Sequence, residues 1–108
     1  MNMFDFEKLE VYKKAKDFHH QNCKNCISQR FDRTTNDQLR RASYSIPLNI
    51  AGGTTRLTKA DKRHFYIIAR GSVSECVCIY DLLLDQELIT REIFNEAYKN
   101  AEEISRML

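Results

Sequence analysis

One proline, three glycines and no tryptophan stand in 108 residues. An all-β chain punctuates itself with turns roughly every 8–12 residues, and Gly and Pro are the usual turn residues, so their scarcity argues against that class. Long apolar runs are missing too. The most apolar stretch, Phe65 to Leu84, is broken by Arg70, Glu75 and Asp81 and is too polar to cross a bilayer. The opening MNMFDFEKLE carries acids where a secretory leader has a basic start and an apolar core, so a cytoplasmic protein without membrane association is expected. No phosphate loop (GxxxxGK followed by Ser or Thr), GxGxxG, HExxH or GxSxG occurs. Neither an enzyme nor a bound cofactor is expected.

What is present suits a folded chain. Hydrophobic residues make up 43% and charged residues 30%, and the length fits one domain spanning residues 1–108. The net charge of +2 conceals an uneven spread. Residues 31–63 hold seven basic and three acidic groups, whereas residues 64–108 hold four basic and eight acidic. Such a division serves either self-neutralisation between neighbouring helices or subunits, or contact of the basic middle with phosphate.

Helical periodicity dominates. Helices are expected over about residues 7–29, 37–52, 59–86 and 91–107, in an all-α, antiparallel up-down-up-down four-helix bundle. In the first, Leu9, Tyr12, Ala15, His19, Cys23, Cys26 and Ile27 form the main stripe, with Val11 and Phe18 as a second apolar line. Residues 30–36 read as a loop, with Thr35 or Asn36 capping the second helix. That helix contains Pro47, which removes a backbone bond and predicts a kink within the preceding turn. Gly52 and Gly53 predict its end. Thr58 caps the third helix, with Asp61 in the capping-box position. Phe65, Ile68, Ala69, Ser72, Cys76, Ile79, Tyr80 and Leu83 form its inner face, yet Ile67, Gly71, Ser74, Cys78 and Leu82 line the far side. A helix that is apolar or small on two sides is covered on two sides. Val11, Phe18, Ile67, Gly71, Ser74 and Cys78 are therefore the candidate oligomer interface. The fourth helix is one-sided, with Ile93, Ala97, Ala101, Ile104 and Leu108 inward.

The titratable residues point to little chemistry. His19, Cys23 and Cys26 share a helical face, but Cys76 and Cys78, two apart, diverge by about 200° and cannot join them on one metal. Reduced cysteines and a hydrogen-bonded His19 are expected, with no metal site. Glu75 sits in an otherwise uncharged stretch and calls for a partner, Arg41 first. Arg40, Arg56, Lys59, Lys62 and Arg63, with Tyr44, Phe65 and Tyr66 nearby, are the candidate nucleic-acid-binding residues.

QLRRASYSIPLNIAGGTTR (Gln38 to Arg56), HFYIIARGSVSE (His64 to Glu75) and the opening FEKLEVYKKA together resemble the four-helix-bundle family of the 23S rRNA intervening-sequence proteins. The resemblance implies an antiparallel bundle assembled as a homopentamer. A related branch comprises the accessory variability proteins of diversity-generating retroelements, which are pentameric and bind nucleic acid and a reverse transcriptase. The chain departs from the family pattern at Gly52, where a glutamate is usual, so no role of that acid carries over. Two functions follow as expectations: binding of nucleic acid, RNA before DNA, or an oligomeric scaffold for a protein partner such as a reverse transcriptase.

Overall fold

A computed structural model describes residues 4–108. After a short 3-10 turn, Asp5–Lys8, come four α-helices: α1 (Glu10–Ser28), α2 (Arg33–Thr54), α3 (Lys59–Asp85) and α4 (Arg91–Met107). No strand occurs among the described residues. Each helix packs on the next and α4 returns to α1, with α2 and α3 the most extensive pair. The result is the expected up-down-up-down four-helix bundle, 45 × 29 × 23 Å. No helix is long and apolar enough to cross a membrane among the described residues.

Capping fixes the ends. Thr58 and Thr90 accept the amides of Asp61 and Ile93 and so satisfy free donors at the starts of α3 and α4. The start of α2 lies earlier than expected. Asp32 is the cap, its carboxylate accepting the Thr35 amide at 2.8 Å, which holds that carboxyl below its ordinary range. Residues 33–36 are thus helical, not loop. The first helix is shorter than expected, because Glu7 folds back onto the Phe4 amide in the 3-10 turn and Leu9 is extended. Phe6 of that turn packs edge-on against Tyr12.

The helix α2 continues through Pro47 and through both glycines to Thr54. The glycines make room for α3 rather than end the helix: a Cβ on Gly53 would lie 2.7 Å from the Tyr66 ring, and one on Gly52 would lie 3.0 Å from the Phe65 ring. Neither has positive φ.

The inner face of α1 is rotated relative to the expected stripe. Ala15, Phe18, Asn22, Asn25 and Cys26 are buried, while Ile27 is 72% exposed. Phe18, only 2% exposed, is a core residue, and Val11 packs partly buried against the same core. The proposed second apolar line on α1 is therefore not a free face. Two asparagines turn inward because Tyr80 of α3 reaches them across the bundle. Its hydroxyl donates to Asn22 Oδ1 at 2.6 Å and accepts from Asn25 Nδ2 at 2.9 Å. A tyrosine 1% exposed needs such partners.

Candidate nucleic-acid interface

The turn Thr55–Thr58 reverses the chain from α2 into α3. From the first twelve residues of α3 project Lys59, Lys62, Arg63, Tyr66 and Arg70, linked by spacings of three and four that keep them on one side. With Ile67 and Leu108 they line one cleft of about 390 Å³. Tyr66 is anchored inside it: its hydroxyl lies 3.2 Å from Thr54 Oγ1 and its ring lies against Gly53. Four cations thus surround one tyrosine at the start of a capped helix, whose free amides add positive potential.

Three of the five nominated residues, Lys59, Lys62 and Arg63, meet in this cleft. Arg56 lies on its flank, its guanidinium 4.4 Å over the Phe65 ring, next to the fully solvated Leu57. Arg40 is elsewhere. Fourteen residues before Thr54, it lies about 21 Å along α2 from the end that precedes the cleft, and its charge acts on His19. Arg70 also lines the cleft, though it is absent from the candidate set. In the sequence it reads only as an interruption of an apolar run, although it follows Arg63 and Tyr66 at helical spacing.

Glu75 is exposed, and among the described residues it forms no ion pair. The expected bond to Arg41 is not made. The polar contact between α2 and α3 at this level is uncharged: Ser72 donates to Ser45 Oγ at 2.9 Å, as does Asn49.

On α3, Ile67, Gly71, Ser74, Cys78 and Leu82 are all exposed along one line. A Cβ on Gly71 would meet nothing within 4 Å. His19 is hydrogen-bonded, as expected, to Ser43 and Cys23. No three His, Cys, Asp or Glu side chains converge as a metal site among the described residues.

The profile of the family described as 23S rRNA-intervening sequence protein matches residues 7–108. The chain belongs to that family. Among solved structures, the fold is similar to a crystal structure from Bacteroides thetaiotaomicron, described as a protein with unknown function from the S23 ribosomal protein family. The TM-score is 0.82 at 24% identity, over 90% of this chain and 93% of that one. None of the curated proteins matches the chain.

Proposed function

We propose that this intervening-sequence protein is a non-enzymatic, cytoplasmic nucleic-acid-binding protein that takes RNA in preference to DNA. The observation that carries the reading is the convergence of Lys59, Lys62, Arg63 and Arg70 around Tyr66 in a single cleft. Cations placed this way meet backbone phosphates, and a tyrosine among them offers a face or edge to a base. Unpaired nucleotides suit the cleft better than a duplex, because the bases of a duplex are stacked away from it. The binding constant should fall steeply with salt, since each phosphate contact releases counterions. A binding titration of single-stranded and hairpin RNA at low and physiological salt tests this. Loss of binding in Lys59→Glu/Lys62→Glu/Arg63→Glu supports the reading, and absence of wild-type binding at low salt defeats it.

A second reading rests on a different face. Gly71 has no intramolecular reason to be glycine, and mid-helix glycine costs about 1 kcal/mol relative to alanine. Its place in the exposed line with Ile67, Ser74, Cys78 and Leu82 fits close approach of another helix. A homo-oligomer, pentameric by the family resemblance, would repeat the basic cleft around an axis and add avidity. Such an assembly could instead serve as a scaffold for a protein partner such as a reverse transcriptase, whose binding would not share the salt dependence.

A further inference from the structure

At the seam between α1 and α2, three side chains form a hydrogen-bonded chain. His19 Nδ1 lies 2.6 Å from Ser43 Oγ, and His19 Nε2 lies 3.6 Å from Cys23 Sγ. Ser43 is fully buried, and its hydroxyl donates to the Arg40 carbonyl at 3.4 Å. In the tautomer that places the ring hydrogen on Nδ1, Ser43 accepts it and the Nε2 lone pair faces the Cys23 thiol.

The other cysteines lack this arrangement. Cys26 and Cys76 are buried, and burial pushes both thiols up, that of Cys76 to about 12. Cys78 is exposed and has no hydrogen-bonding partner among the described residues. Cys23 is half-buried. One turn before it, a groove of about 310 Å³ opens against His19, with Tyr12, Lys16, His20 and Tyr44 in its walls.

We propose that Cys23 is a nucleophilic thiol and a site of reversible thiolation by small anionic disulfides, with His19 as its general base and Ser43 as a positioning residue. In the exchange, Nε2 takes the Sγ proton and the thiolate attacks one sulfur of the disulfide. The Cys23–sulfur bond forms as the reagent's S–S bond breaks. The electron pair leaves on the second sulfur, which takes the proton from Nε2 and departs as a thiol. Cys23 is oxidised to a mixed disulfide and half of the reagent is reduced. Lys16 in the groove and Arg40 nearby favour a carboxylate-bearing reagent.

The charge around His19 suits a base. Burial, then His20 and Arg40, hold its pKa below 6.5, so the ring is neutral at pH 7. The groups facing it are Tyr12, Lys16, His20 and Cys23 from α1 and Arg40 and Tyr44 from α2. Only Phe6 of the 3-10 turn reaches the groove.

The test is reaction of the full chain with excess glutathione disulfide between about pH 5 and 8, with sites assigned by peptide mass mapping. At pH 7, Cys23 of the wild type should react at least about tenfold faster than Cys23 of His19→Gln. The wild-type rate should stay nearly level from pH 8 down to the pKa of His19 and fall below it, because the neutral ring is the base. His19→Gln should abolish the level region. Ser43→Ala should shift the level region of the Cys23 profile. Continued protection of Cys76 reports that each variant is folded. Should a variant expose Cys76, the wild-type profiles decide: a level Cys23 rate supports the assignment. A wild-type Cys23 rate with no level region, or one that a folded His19→Gln leaves unchanged, overturns it.

Discussion

The ring of Tyr66 occupies the space that a side chain on Gly53 would need, with only 2.7 Å between its Cε1 and a Cβ built there. The Phe65 Cβ, at 3.1 Å, closes the other side. Gly53→Ala should therefore overpack the α2–α3 contact and destabilise the fold by about 1–3 kcal/mol. Because the same ring lines the basic cleft, the variant should also weaken RNA binding. Urea denaturation with a parallel binding titration checks both effects.

Alkaline stability should reflect buried acids, chiefly Cys76 and Tyr80, with Cys26 shifted in the same direction. Burial pushes Tyr80 above its ordinary 10 and moves Cys76 from 9 to about 12, each in the neutral form when folded. A folded pKa raised above the unfolded value gives stability that is complete below the unfolded value and lost as pH rises. Unfolding free energy should thus begin to fall near pH 9 through Cys76, then more steeply above pH 10, by up to about 1.4 kcal/mol per pH unit for each group. Cys76→Ala should delay the onset. Tyr80→Phe should remove the steeper part, yet lower stability at neutral pH by about 1–3 kcal/mol, because Asn22 and Asn25 lose a buried partner. Urea denaturation across the alkaline range separates the two.

How far the sequence could be read varied with the kind of signal. The starts of α3 and α4 were legible because Thr58 and Thr90 precede strongly periodic stretches. The start of α2 was not, because Asp32 sits in a polar run that resembles a loop until its bond to the Thr35 amide is seen. The inner face of α1 was misplaced because Asn22 and Asn25 are polar by type and buried only through the hydroxyl of Tyr80, 58 and 55 residues away. No periodicity encodes that pairing. Lys59, Lys62 and Arg63 could be grouped from their spacing alone. Arg40 could not be separated from them, because distance along a helix decides proximity and charge counts do not. The His19–Cys23 spacing was visible, but Ser43 comes from another helix.

The structure places Arg70, and not Arg40, in the cleft with Lys62, and the consequence for the proposed binding can be tested directly. Arg70 lines the cleft with Lys62, whereas Arg40 lies about 21 Å along α2 from its Thr54 end. Arg70→Glu should weaken RNA binding about as much as Lys62→Glu and reduce the slope of affinity against salt by about one contact or more. Arg40→Glu should change both far less. Both are exposed, so neither should alter stability by more than about 0.5 kcal/mol. Titrations at three salt concentrations give affinity and slope together.

Gly71 separates a free helix face from a covered one. With nothing within 4 Å of its Cβ position, Gly71→Ala in an isolated chain should stabilise α3 by up to about 1 kcal/mol. If another helix packs on Ile67, Gly71 and Ser74, the added methyl enters that contact and the gain disappears. A larger side chain sharpens the difference. Gly71→Leu should break an assembly apart, whereas Lys99→Leu, on the exposed back of α4, should leave it intact. Light scattering of wild type and both variants at tens of micromolar distinguishes the cases. An assembled wild type, a dissociated Gly71→Leu and an unchanged Lys99→Leu would place the subunit contact on α3. A wild type that remains monomeric would leave the exposed line without a homotypic partner, and Gly71→Ala should then show its full stabilisation.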